Sequence, residues 1–328
     1  MALNLPPRML AVLCAALAAL AGCGGYSNDD LEFLYALPSK AALQTSVPAS
    51  GSARSGSSLG VRRDGLAVGE PSKAYADTKS GSDGINELLY NVLDVLERVR
   101  SARPSERTEN RRVWGPFADD RNRTRQLRVV IERRDLADGS VAYEWRWEVK
   151  QRDAGEDGWL AGASGTFSPT DDVRRGAGEF SWHAKAIRDG GFANTDDDRE
   201  VESLQVFYET DRDPVRIDMT MRRTNGELSY GYERSADGSG AIRFELVADF
   251  YKPFLGEDRE TLTIHSRWTP AGTGRADLRI SGGDLGIDRR DAVECWDAAF
   301  LVVHARPFDF SGEPTVGDPA ACAFTQAP

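Results

Sequence analysis

The chain has 328 residues, 28% of them charged and 40% hydrophobic, with a formal net charge of −11, a profile that fits a globular protein of one large domain or two small ones. Such acidity excludes phosphate-backbone binding, which needs clustered Lys and Arg, so nucleic acid is not an expected partner. It also sets the chain as a whole against anionic lipid surfaces.

At the N-terminus, Arg8 precedes an apolar run over residues 9–20, which leads into Leu20-Ala21-Gly22-Cys23. The run is too short to span a bilayer, and a basic residue, an apolar stretch and small residues in that order form a secretory signal. With the cysteine directly after the small residues, the segment resembles the lipobox of bacterial lipoproteins. The resemblance implies cleavage after residue 22, diacylation of the Cys23 thiol and acylation of its new amine; an ordinary secretory signal with a chance cysteine is the alternative. One acyl chain holds a protein marginally, at about 0.8 kcal/mol per buried methylene, whereas two or more hold it durably. Gly24 stands where many inner-membrane lipoproteins carry a retaining aspartate, so the resemblance implies a cell-envelope protein anchored at the outer membrane.

Residues 23–45 form a mature N-terminal segment with a short helix over 28–37, where Asn28, Asp29 and Asp30 suit an N-cap and Pro38 closes the run. Residues 46–82 are rich in Gly, Ser and basic residues without an apolar period, and read as a flexible tether. A helix follows, capped by Ser82 or Asp83, with Ile85, Leu88, Leu89, Val92, Leu93, Leu96 and Val99 at three- and four-residue steps until Pro104 ends the segment. Its broad apolar face requires a cover.

From Arg112 the period changes from 3.6 to 2. The clearest case is Val141-Ala142-Tyr143-Glu144-Trp145-Arg146-Trp147-Glu148-Val149-Lys150, with large apolar side chains on one face and charges on the other. The alternation returns at Leu127/Val129/Ile131, Phe180/Trp182/Ala184, Leu204/Val206/Tyr208, Ile217/Met219/Met221, Leu228/Tyr230/Tyr232, Ile242/Phe244/Leu246, Leu262/Ile264 and Leu278/Ile280. Asp138-Gly139, Asp157-Gly158, Asp189-Gly190, Asn225-Gly226 and Asp237-Gly238 between them suit tight hairpins. On a membrane barrel, Arg128, Glu144, Arg146, Asp218 and Arg243 would face hydrocarbon or crowd the lumen, so one wet and one dry face are expected instead. The expected fold of residues 83–328 is therefore mainly β: an antiparallel meander forming a curved sheet, half-barrel or partly closed barrel, with the amphipathic helix packed on its apolar face. This arrangement resembles curved-sheet periplasmic lipid-carrier lipoproteins and lipoprotein chaperones, whose concave face accepts acyl chains beneath a helical lid.

Cys14 leaves with the signal and Cys23 takes lipid, so Cys295 and Cys322 remain. An oxidising compartment lets them pair, a bridge contributing about 3 kcal/mol on the chain-entropy model. A metal pair or a reactive thiol is less favoured, since no CxxC, His cluster or basic surround accompanies either cysteine. Leu31-Glu32-Phe33-Leu34-Tyr35-Ala36-Leu37-Pro38, Val113-Trp114-Gly115-Pro116-Phe117, Glu294-Cys295-Trp296-Asp297 and Gly317-Asp318-Pro319-Ala320-Ala321-Cys322-Ala323-Phe324 resemble a family of predicted bacterial lipoproteins without an assigned activity. That resemblance supports the anchor and the paired cysteines.

Gly56-Ser57-Ser58-Leu59-Gly60 fits the hydrolase GxSxG pattern by letter only, because a nucleophile elbow needs a strand before it and a helix after it. His183 and His265 fall on the polar parity of their strands, and neither they nor His304 make a HExxH or another zinc spacing. Asp196, Asp198 and Glu200 form a weak calcium candidate that lacks the alternating acids and central glycine of an EF-hand loop. No cofactor and no catalytic constellation is expected. Tyr143, Trp145, Trp147, Phe180, Trp182, Tyr208, Tyr230, Tyr232 and Phe244 make an aromatic row that is a packed core or the wall of a hydrophobic-ligand site. The expected function is a non-enzymatic envelope interaction or structural module, with an envelope protein as partner; a carrier of lipid or another hydrophobic ligand is the alternative, and an enzyme of unrecognised type the third.

Overall fold

A computed structural model describes residues 28–49, 67–119, 122–192, 201–249, 258–285, 289–309, 312 and 314–326. The signal and Cys23, the centre of the tether with Gly56 to Gly60, and the acidic group Asp196, Asp198 and Glu200 lie outside them. The strands are β1 (Glu106–Arg107), β2 (Arg111–Ala118), β3 (Arg125–Asp135), β4 (Val141–Gln151), β5 (Leu160–Pro169), β6 (Gly176–Trp182), β7 (Val201–Glu209) and β8 (Val215–Arg223). They continue as β9 (Gly226–Arg234), β10 (Gly240–Ala248), β11 (Glu260–Trp268), β12 (Gly274–Gly282), β13 (Arg289–Trp296), β14 (Val302–Arg306) and β15 (Val316–Gly317). Every strand pairs antiparallel with the next in sequence, giving one curved, unclosed sheet in the order β1 to β15.

The hairpin signals work through local chemistry. Gly139 and Gly238 take positive φ (85° and 91°) at the β3–β4 and β9–β10 turns, a conformation only glycine adopts without steric cost. Asp138 Oδ1 accepts from Ser140 N and Oγ (2.9 and 2.6 Å), and Asp237 repeats the pattern with Ser239. Two of the Asp-Gly signals have another role. Asp157-Gly158 belongs to a 3-10 turn, Glu156–Gly158, and Asp189-Gly190 ends a short helix that takes up Ala184.

The inward face carries the core: Ile131, Trp145, Phe180, Leu204, Val206, Ile217, Tyr232, Ile242 and Ile280 are all essentially inaccessible. The outward face carries cross-strand ion pairs such as Arg128–Glu148 (2.6 Å), Arg134–Glu144 (2.7 Å) and Arg279–Asp291 (2.8 Å). Each contributes about 0–1 kcal/mol where solvent reaches it, so stability resides in the inward face.

Four helices complete the described fold: α1 (Asn28–Tyr35), α2 (Lys40–Leu43), α3 (Lys73–Val99) and α4 (Ala184–Asp189). The apolar stripe of α3 is buried as expected, with Ile85, Leu89, Leu93, Leu96 and Val99 in the main core. The helix starts at Lys73, however, so residues 73–82 are helix rather than tether. Its first three turns bury Ala74, Thr78 and Ser82 instead of large aliphatics, which removes the apolar period while keeping the face inward. The Thr78 hydroxyl bonds Ala74 O and Ser266 Oγ (both 2.6 Å), satisfying its polar atom inside the core. Gly81 has a steric role, since a β-carbon there would stand 2.3 Å from Phe244 Cζ.

At its start α3 is locked to β13. Ser72 caps it, accepting from Tyr75 N (3.0 Å), and donates to the fully buried carboxylate of Glu294 (2.6 Å), which also accepts from Ala74 N (3.0 Å). At its end, Arg100 donates to Leu34 O in the last turn of α1 and to Leu37 O just beyond it. The Asp30 carboxylate, also fully buried, bonds Arg112 (2.8 Å) and Arg107 (3.1 Å), and Arg112 stacks 4.4 Å above the Phe33 ring. Residues 44–48, the last of the expected N-terminal segment and the first of the expected tether, lie along α3. There Thr45 exchanges hydrogen bonds with Asn86, and Pro48 O accepts from Tyr75. Cys295 and Cys322 form a disulfide (Cα–Cα 5.4 Å) that fastens the C-terminal segment to β13.

Candidate functional site

The aromatic row divides in two. Tyr143, Tyr208, Tyr230, Tyr232 and Phe244 are core residues, no more than 5% exposed, with ring contacts such as Phe33–Tyr143 (5.5 Å) and Tyr230–Phe244 (5.0 Å). Burial raises the phenol pKa of Tyr208 and of Tyr230, in keeping with packed side chains. Trp145, Trp147 and Trp182 line a cleft at one end of the face, where α3, strands β3 to β6 and α4 meet.

The cleft has a volume of about 220 Å³. Leu88, Val92 and Leu96 of α3 form one wall, and the three tryptophans with Leu127 and Val149 form the sheet side. Ile187 and Phe192 close the end. They stand there because of how α4 stops: Gly191 takes positive φ (76°), Gly191 N donates to Arg188 O (2.9 Å) and Phe192 N to Ile187 O (2.8 Å). These are the paired bonds of a Schellman motif, which turns the two hydrophobic residues toward each other. Arg125 fixes the same corner, donating to Phe192 O (2.7 Å) with its guanidinium 5.6 Å from the Phe192 ring.

Space for the tryptophans comes from glycines on β5. A β-carbon at Gly162 would stand 2.0 Å from Trp147 Cζ3, and one at Gly165 would stand 2.7 Å from Trp145 Cζ2. The indole N–H groups of Trp145 and Trp147 are buried with no acceptor among the described residues. An unmade buried hydrogen bond costs about 1–3 kcal/mol, so packing stability alone does not account for this end of the sheet. Polar residues at the rim are Asp94, Arg98, Asp119 and Arg125; Asp94 pairs with Lys40 at 3.0 Å.

No family model matches the chain, and no curated protein and no solved structure matches it either. The cleft and the other sites therefore rest on their own chemistry. Among the described residues, no three His, Cys, Asp or Glu side chains gather as metal ligands, and no helix is long and apolar enough to cross a membrane.

The histidines are placed differently from one another. His265 sits on the outward face of β11, as its parity implies. His183 is the residue before α4, with Nε2 3.1 Å from Ser164 Oγ. Burial lowers the His183 pKa, so the ring is neutral at pH 7 and can accept a proton. Among the described residues, no carboxylate bonds its other nitrogen, and neither Ser164 nor His183 lines the cleft. The pair therefore lacks the orienting group and the enclosed site that a Ser–His nucleophile needs. His304 is buried beside Gly317 O.

Sequence reasoning placed Leu88, Val92, Leu96 and the three tryptophans but missed Ile187, Phe192 and Arg125 as neighbours. The available signal was Gly190-Gly191 after a short apolar turn, which marks a helix C-terminus as readily as a hairpin.

Proposed function

We propose that the chain is a lipid-anchored envelope protein, held at the outer membrane through acyl groups on Cys23, whose sheet domain binds a small hydrophobic ligand in the tryptophan cleft. The observation that carries the ligand reading is the cleft itself: α3 and the sheet pack closely elsewhere, yet leave about 220 Å³ beside three tryptophans. A 150 Å³ apolar cavity admits benzene, so this volume suits two fused rings or a short acyl segment rather than a whole lipid. Binding is non-catalytic in this reading.

The test uses the full chain carrying Cys23→Ser, which removes the acyl acceptor. Partition from the detergent phase to the aqueous phase on this substitution supports the anchor; unchanged partition refutes it. Naphthalene titrated into the soluble variant is expected to quench tryptophan fluorescence saturably, and Val92→Trp, which fills the cleft, is expected to weaken that response at least tenfold. A chain that takes up no naphthalene and releases no apolar compound on solvent extraction would return the function to an interaction or structural module.

A further inference from the structure

The outward face of β10 to β14 carries more guanidinium groups than carboxylates, although the chain as a whole is acidic. The register brings Arg243, His265, Asp277 and Val293 into one cross-strand row ending at Arg306, and Thr263, Arg279 and Asp291 into the next. Seven of these residues, all but Val293, line an open cup of about 260 Å³, together with Gln326 of the C-terminal segment. That segment is held in place three ways: by the Cys295–Cys322 disulfide, by Arg275 donating to Phe324 O (3.2 Å), and by Arg267 donating to Thr325 O (2.5 Å).

The ion pairing around the cup is unequal. Asp277 is held by Arg275 (2.6 Å) and Arg267 (3.2 Å), and Asp291 by Arg279 (2.8 Å) and Arg289 (3.5 Å). Among the described residues, Arg243 has only a long contact, to Glu245 (3.4 Å). Arg306 is exposed and makes no side-chain hydrogen bond or ion pair among the described residues. Six guanidinium groups therefore face Asp277, Asp291 and Glu245, with Glu233 on the neighbouring strand, in a protein of net charge −11. A rigid sheet holding surplus guanidinium groups at a concave surface matches oxyanions, which accept several charge-assisted hydrogen bonds at once.

We propose that this cup is an oxyanion site for a phosphate group, engaged by Arg243, Arg279 and Arg306, with the disulfide-fastened C-terminal segment as one wall. The volume exceeds that of a bare ion, a water occupying about 30 Å³ of liquid, so it leaves room for the organic residue of a phosphomonoester. Free phosphate and a phosphorylated lipid headgroup share this chemistry.

The experiment uses the full chain with Cys23→Ser, so that no acyl anchor contributes. Inorganic phosphate is titrated while the NMR signals of the His265 ring are followed, and vesicles of phosphatidylcholine with and without phosphatidate are floated with the protein. Expected is saturable phosphate binding with a Kd of about 1 mM, weakened roughly tenfold by Arg306→Gln and by Arg243→Gln, because each removes a charge-assisted donor. Cys322→Ala, which frees the wall, is expected to weaken it as well. Flotation that depends on phosphatidate and on Arg306 identifies a lipid headgroup as the source; phosphate binding without flotation identifies a free oxyanion. Binding that survives Arg306→Gln and Arg243→Gln unchanged, or no shift of His265 at 20-fold the expected Kd, overturns the proposal.

Discussion

Ser72→Ala is the sharpest probe of what holds α3 to the sheet. The Ser72 hydroxyl accepts from Tyr75 N as a helix cap and donates to the fully buried Glu294 carboxylate at 2.6 Å. Losing the cap costs about 1 kcal/mol, and losing a hydrogen bond to a charged group costs about 1.5–3 kcal/mol, giving roughly 2.5–4 kcal/mol for the substitution. Glu294→Gln keeps the shape and both acceptor contacts but removes the negative charge from the helix N-terminus, for about 1–2 kcal/mol. Because the two residues touch, the double variant is expected to be less destabilised than the sum by about 1 kcal/mol. Urea denaturation followed by far-UV and tryptophan signals measures all three, with the m-value unchanged. A Ser72→Ala chain within 0.5 kcal/mol of wild type, roughly the scatter of an ordinary surface change, would refute the lock.

Three other outcomes are expected. Gly81→Ala gains about 1 kcal/mol of helix propensity but places a β-carbon 2.3 Å from Phe244 Cζ, an overpacking cost of about 1–3 kcal/mol; it should lower the thermal midpoint, and raise it instead in a Phe244→Ala background. Asp30→Ala leaves the nearly buried Arg112 guanidinium without its carboxylate, at about 3–5 kcal/mol, and should expose residues 28–37 to limited proteolysis before the sheet unfolds. His265 has its folded pKa lowered, first by burial and then by Arg267, so the unfolded chain binds the proton first as pH falls. The resulting loss of stability begins near the unfolded value of about 6.5 and continues down to the lowered folded value. The thermal midpoint of His265→Gln should fall less than that of wild type between pH 7 and 5, and equal slopes would contradict the assignment.

Strands with bulky inward residues could be read directly from the sequence: β3, β4 and β7 to β12 each carry a period of two that only a half-buried sheet explains. Strand β5 escaped because its inward positions include Gly165 and Ala163, small so that the indoles of β4 fit against them. The missing side chain is the complement of a tryptophan one strand away, and a single-strand pattern cannot carry that information. The first turns of α3 escaped for a related reason: Thr78 and Ser82 occupy the buried stripe with their hydroxyls satisfied, so hydropathy reads a tether where hydrogen bonding makes a helix. Of the cleft, the tryptophans and the helix wall were legible. The corner made by Ile187, Phe192 and Arg125 depends on a helix terminus and a long-range cation, neither of which has a periodic signature. The cup of arginines was written in the sequence only as the ordinary polar parity of five strands.

The pairing of each strand with its immediate successor has a bearing on how the molecule comes into being. Hairpins can close one after another as the polypeptide emerges, with little loop-closure entropy to overcome at any step. The lock between Ser72 and Glu294 spans 222 positions, so the long amphipathic rod is made early and its receiving groove late. Until β11 to β13 arrive, the first turns of the rod lack the strands that receive them, and that part of its inward face is open to association with other chains.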